Sequence, residues 1–145
     1  MVLQFILLSI VALAGIVSGN AWGGTLGTLT SLAGLVLMVA GAALLGRGLV
    51  DLGRNLTPVP RPRGDAQLVE TGVYGLVRHP IYGGLIATAL GWALVAASPL
   101  TIVLAGVLAA FFDLKSRREE AWLTARYDDY QGYAARTARF FPRLY

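Results

Sequence analysis

Cysteine is absent and histidine occurs once in 145 residues. The first absence excludes disulfides, thiolate nucleophiles and cysteine-based metal sites. A lone His79 is a poor basis for a histidine metal centre, so no metal site is expected. Charge is missing more selectively. Residues 1–46 contain no Asp, Glu, Lys or Arg, and neither do residues 79–112. All twelve cations and eight anions lie between Arg47 and Arg78 or after Phe112. A soluble domain of this length needs charged surface throughout, whereas lipid tolerates long uncharged stretches. The chain is therefore read as an all-α integral membrane protein with alternating oily and wet blocks.

Crossing a bilayer takes about 20 apolar residues per helix. Residues 2–22 and 26–46 each supply one such length. The oily block after His79 divides at Ser98-Pro99, because proline disfavours helix in the residue before it. The predicted third and fourth spans are 80–97 and 99–114, joined as a tight helical hairpin. The fourth is short at about 1.5 Å of rise per residue, so it either thins the bilayer or runs past Asp113. A small-residue site at Ala12-Leu13-Ala14 resembles a signal-peptide cleavage site, but no basic residue leads it, and the segment is expected to be retained. Five cations between the second and third spans and seven after the fourth put both wet blocks, and both termini, in the cytoplasm by the positive-inside rule. The bias toward Ala, Gly, Leu and Arg suits a bacterial inner membrane. A net charge of +4 does not indicate nucleic acid here, since the cations flank spans and alternate with carboxylates.

The whole chain, 1–145, is expected to form one membrane-embedded domain with cytoplasmic segments 53–79 and 115–145. Gly15, Gly19, Gly23 and Gly27, and again Ala42 and Gly46, recur every four residues and predict close helix packing within the bundle. Residues 55–64, with prolines at 58, 60 and 62, predict an extended surface strap. From Leu114 to Ala138 the spacing of Trp122, Leu123, Tyr127, Tyr130 and Tyr133 predicts an amphipathic cytoplasmic helix, with a break near Gly132.

Two clusters carry chemistry. The first, from Leu68 to Gly84, sets Tyr74, Arg78, His79 and Tyr82 among glycines at a membrane boundary. Pro80 suits the first position of a helix, whose free N–H groups beside Arg78 favour an anion such as a carboxylate or phosphate. Taken singly these residues are ordinary, since Arg78 resembles a snorkelling anchor and the tyrosines an interfacial belt. The second is Glu119-Glu120 within Lys115, Arg117 and Arg118. Glu119, Leu123 and Tyr127 share a helix face, and a carboxylate with an aromatic suits a ligand carrying both a cation and a purine.

Together these clusters resemble the isoprenylcysteine carboxyl methyltransferase family and the related small membrane phospholipid N-methyltransferases. The shared pattern is Gly72-x-Tyr74, Arg78-His79-Pro80-x-Tyr82-x-Gly84, a hydrophobic hairpin, Glu119-Glu120-x-x-Leu123, Tyr130-x-x-Tyr133 and Arg139-Phe140-x-Pro142. With the Thr57-Pro58 strap it covers residues 45–145. The resemblance implies an S-adenosylmethionine-dependent enzyme acting on a lipid or lipidated substrate at the cytoplasmic membrane face. It assigns Tyr74, Arg78, His79, Tyr82, Glu119 and Glu120 to the cofactor. His79 and Glu120 are then the expected catalytic groups where the acceptor must lose a proton, and Arg117 or Arg118 would pair with an acidic lipid. Membrane sterol reductases carry a similar Arg-His-Pro-x-Tyr segment and bind a nicotinamide dinucleotide, but paired carboxylates would repel its phosphates. A non-enzymatic membrane scaffold is the third reading, and it requires neither cofactor.

Overall fold

The computed structural model describes residues 2–53 and 68–142. These contain five α-helices: α1 (Val2–Val17), α2 (Gly24–Leu52), α3 (Pro80–Val95), α4 (Pro99–Arg126) and α5 (Tyr130–Arg136). No strand occurs among the described residues. Helices α2 and α4, of 29 and 28 residues, are long and apolar enough to cross a membrane. At about 1.5 Å per residue each exceeds a hydrocarbon core of about 30 Å. The apolar helices α1 and α3 have 16 residues each.

The turns at one end of the bundle explain why α1 stops at Val17 and not near residue 22. The segment after α1 folds against the α3–α4 turn, where Asn20 N–H donates to Ala96 O at 2.8 Å and Ala21 N–H to Ala97 O at 2.9 Å. The Ser18 and Ser98 hydroxyls bond to each other at 2.7 Å. Ser98 also caps α4, its Oγ accepting from Thr101 N–H at 3.1 Å, with Pro99 in the first turn. This is the predicted helical hairpin, made by a capping serine and a proline that needs no N–H partner.

Helix α4 departs from expectation at its other end. It does not stop near residue 114 to give way to a separate amphipathic helix over 114–138. No proline or glycine lies between Gly106 and Gly132, so nothing halts the helix where the apolar stretch ends. It runs on to Arg126, breaks at residues 127–129 and resumes as α5, which contains Gly132. The carboxylate pair consequently sits on the same rigid rod as the apolar stretch. The strap at 55–64, with Arg54, Arg61 and Arg63, lies outside the described residues.

The closest helix packing runs along a seam not anticipated from the four-residue glycine spacing. Gly34, Gly41 and Gly48 of α2 recur every seven residues and meet Gly91, Gly84 and Pro80 of the antiparallel α3. A Cβ on Gly91 would lie 2.5 Å from Gly34 O, one on Gly84 2.6 Å from Gly41 O, and one on Gly48 3.0 Å from Pro80 Cγ. Absent side chains let the two backbones touch, which is how small residues join helices in lipid. Of the glycines expected to pack, Gly15 faces the Trp92 indole and Gly19 faces Ala96 O, but Gly23 and Gly46 meet nothing within 4 Å and Ala42 is exposed. Helices α3 and α4 add the buried core of Ile86, Ala89, Ala105, Leu108 and Phe112, which Val11 and Phe140 complete. The outer faces of α1 and α2 carry exposed Ile16, Leu35, Val36 and Val39, a surface suited to lipid.

Overpacking this seam should cost about 1–3 kcal/mol. Gly84→Leu is therefore expected to lower the thermal midpoint of detergent-purified protein by several degrees, while Gly46→Ala leaves it unchanged. Equal midpoints for the two variants would contradict the seam.

Candidate functional site

The antiparallel run of α2 and α3, followed by the return of α4, places the end of α2, the start of α3 and the charged half of α4 at one end of the bundle. Each chain segment there is fixed locally. Gly72, at φ +60°, begins a 3-10 turn over Gly72–Gly75. The Asp51 carboxylate of α2 accepts Val73 N–H at 2.8 Å. A Cβ on Gly72 would strike that carboxylate, so glycine is required twice over, by backbone conformation and by space. The turn buries Tyr74, whose backbone oxygen accepts from the Tyr133 hydroxyl at 2.7 Å.

Downstream of the turn, residues 76–79 pair with the C-terminal tail in a short parallel bridge. Arg78 N–H donates to Ala138 O at 2.8 Å, Ala138 N–H to Leu76 O at 3.1 Å and His79 N–H to Arg139 O at 2.9 Å. Arg78 also closes α5, donating from Nη1 to Ala134 O at 2.8 Å and to Thr137 O. A cation at a helix C-terminus satisfies its last carbonyls and suits its dipole.

Glu120 is the meeting point of these segments. Its Oε1 accepts from Arg78 Nε at 3.0 Å, Arg139 Nε at 3.2 Å and His79 Nε2 at 3.1 Å, and its Oε2 accepts from Arg139 Nη2 at 3.0 Å. Arg139 also reaches Asp113 Oδ1 at 3.0 Å. Glu119 faces the other way along the cluster. It accepts from the Tyr82 hydroxyl at 2.6 Å and lies 3.8 Å from His79 Nδ1. The Tyr82 ring stacks between His79, at a centroid distance of 5.5 Å, and Phe112, at 4.8 Å. Lys115 Nζ lies 4.8 Å from the centre of the Tyr82 ring and donates to Gln4 Oε1 at 2.6 Å, which ties α1 to the cluster.

The two carboxylates, beyond the apolar stretch of α4, differ in acidity. Burial alone would raise Glu120, but the hydrogen bonds from His79, Arg139 and Arg78 outweigh it and hold the carboxyl at about 2. Burial raises Glu119, against the hydrogen bond from Tyr82. Burial also raises the Tyr74 and Tyr130 hydroxyls and pushes Tyr133 up to about 12, so all three are protonated donors at neutral pH. A carboxylate as acidic as Glu120 is a poor proton acceptor, which makes it a structural counterion and not the expected general base.

The structure thus brings Arg78, His79, Tyr82, Glu119 and Glu120 into one cluster. Tyr74 stands behind it, joined through Tyr133. Arg117 and Arg118 are exposed, and Arg117 pairs with Asp113 at 2.7 Å on the outer side of α4. Arg139, Lys115 and Asp51 were not singled out from sequence as site residues. Asp113 and Glu120 lie seven residues apart and Phe112, Ser116 and Glu119 share that side of α4, a helical spacing that could have flagged Asp113.

Because Glu120 is depressed below its ordinary value of 4.5, its contribution is full above that value and is lost as pH falls toward about 2. Glu120→Gln should cost on the order of 3 kcal/mol at pH 7. The difference between wild type and variant, measured by detergent unfolding at several pH values, should shrink below pH 4.5. A difference that grows on acidification would contradict the assignment. Gly72→Ala should separately weaken the turn that holds Tyr74, lowering the unfolding midpoint, whereas Gly53→Ala, with open space around its Cβ, tests the cost of positive φ alone.

Comparison with known proteins agrees with this arrangement. The model of the phospholipid methyltransferase family matches residues 29–130. The nickel-cobalt-cadmium resistance protein NccN of Alcaligenes xylosoxydans xylosoxydans is 36% identical over 86 residues, 57% of this chain and 39% of that protein. The cobalt-zinc-cadmium resistance protein CzcN of Cupriavidus metallidurans is 36% identical over 83 residues, 57% of this chain and 38% of that protein. The chain thus spans about two fifths of the length of these curated relatives. The solved structure of the eukaryotic intramembrane Ras methyltransferase ICMT, an isoprenylcysteine carboxyl methyltransferase, superposes with a TM-score of 0.73 at 25% identity, covering 80% of this chain and 43% of that one. The matched region spans both helices long enough to cross a membrane, the Arg78-His79-Pro80 start of α3 and the carboxylate pair on α4, and the chain belongs to the phospholipid methyltransferase family.

Proposed function

We propose that this membrane protein is an S-adenosylmethionine-dependent methyltransferase that acts on a lipophilic substrate at the cytoplasmic face, in the manner of isoprenylcysteine carboxyl methyltransferases. The observation that carries the reading is the convergence of Arg78, His79, Tyr82 and the Glu119-Glu120 pair at one end of an apolar helix bundle. The residues suit that cofactor. Arg78 and His79 offer donors for its carboxylate, Glu119 a counter-charge for its ammonium or sulfonium, and Tyr82 an aromatic face. When bound, the cofactor supplies an electrophilic methyl group on a cationic sulfur.

The protein's own residues then bind, orient and exclude water. In-line displacement requires aligned reactants more than covalent help, and the clamped Glu120 gives that end of the site a fixed frame. A carboxylate or thiolate acceptor arrives ready to attack. An ammonium acceptor must first lose a proton, and Glu119 or His79 is then the base, Glu120 being too acidic. Phospholipid headgroup methylation is the alternative within the family. In the membrane, α1 to α4 form four spans with both termini cytoplasmic, the short α1 and α3 being accommodated by local thinning. An acidic lipid headgroup would meet Arg117 and Arg118 on the exposed side of α4.

Titration of the purified protein with S-adenosylhomocysteine should give saturable binding, and a reduced nicotinamide dinucleotide phosphate should give none. Glu119→Gln is expected to weaken that binding about tenfold, and His79→Ala to reduce transfer of labelled methyl groups into membrane lipids by about 10²-fold or more. Dinucleotide binding alone would move the chain to a reductase function. Folded protein that binds neither would support a scaffold.

A further inference from the structure

Tyr130, at the start of α5, is 2% exposed, and its hydroxyl is the one buried side-chain polar atom without a hydrogen-bond partner among the described residues. Its neighbour Tyr133 shows what a satisfied tyrosine looks like in the same helix, since that ring packs edge-on at 5.7 Å and its hydroxyl bonds Tyr74 O. The hydroxyl of Tyr130 is sealed from bulk solvent, so its partner must come from within the site. The charged groups within electrostatic reach are Glu120, Arg78 and Arg139. Glu120 already accepts four hydrogen bonds, and Arg78 and Arg139 are themselves donors. A protonated phenol beside two guanidiniums selects an acceptor, and preferably an anionic one.

We propose that the Tyr130 hydroxyl is a binding residue for the carboxylate of the cofactor's amino-acid end, an assignment that rests on the reading in the preceding subsection. Tyr130 is carried on the short α5, whose C-terminal carbonyls Arg78 holds, so the phenol and the guanidinium are fixed relative to each other. The same guanidinium that secures α5 thereby brings a neutral donor to complete an anion site.

The test compares two ligands on wild type and Tyr130→Phe by calorimetry in detergent. S-adenosylhomocysteine carries the carboxylate, whereas 5′-methylthioadenosine shares its adenosine thioether and lacks the amino-acid end. Loss of a hydrogen bond to a charged group should weaken S-adenosylhomocysteine by about tenfold or more. Affinity for 5′-methylthioadenosine should stay within about twofold, and the thermal midpoint without ligand should not fall, because phenylalanine keeps the ring. An unchanged affinity for S-adenosylhomocysteine would mean that the hydroxyl serves an internal water, and would overturn the assignment. Equal weakening of both ligands, or a lowered midpoint, would overturn it as well. Wild type that binds neither ligand would remove the cofactor reading and this assignment with it, whereas binding by wild type with an unaffected variant removes only the latter.

Discussion

The site depends on one carboxylate that cannot stand alone. Glu120 is about 15% exposed and accepts from Arg78, His79 and Arg139, which belong to the approach to α3, its N-terminal cap and the C-terminal tail. An unpaired charge at that depth would be costly, and two guanidiniums without it would repel each other. The ion cluster therefore joins three segments that the sequence separates by up to 61 residues, and does so at the membrane-proximal end of a helix that is otherwise apolar. The remaining carboxylate, Glu119, is left to Tyr82 and His79, where a ligand's positive charge has a counterpart.

Such a cluster requires its backbone supports to stand at fixed heights, and the glycine seam between α2 and α3 provides this. Backbone contact at Gly34–Gly91 and Gly41–Gly84 admits little sliding, since each offset by one residue would put a side chain into the facing backbone. The seam ends at Gly48 against Pro80, immediately before His79, and Asp51 one turn further holds the Tyr74 turn. Helix packing in the apolar region thus sets the register of the polar end.

The membrane character, the hairpin at Ser98-Pro99 and the two chemical clusters were legible in the sequence because each has a local cause: absent charge, a proline after a capping serine, and dense functional residues. The length of α4 was not, although the missing glycine and proline between residues 106 and 132 held the answer. Charge at Asp113 suggested an end that an uninterrupted helical stretch did not impose. The glycines at four-residue spacing were misleading in α2 because contact with an antiparallel partner follows the seven-residue repeat of Gly34, Gly41 and Gly48. The differing roles of Glu119 and Glu120 could not be read from a dipeptide. They follow from which face of α4 meets Arg139, a partner 19 residues away whose position depends on the tail's bridge to residues 76–79.

The most direct measurement is ultraviolet cross-linking of S-adenosylmethionine carrying a radiolabelled methyl group to the protein in its native membrane, followed by peptide mapping. The account expects label on peptides containing residues 74–84 or 119–133, suppressed by excess S-adenosylhomocysteine. Label confined to α1 or to the Ser18–Thr28 end, or labelling that S-adenosylhomocysteine does not suppress, would contradict it.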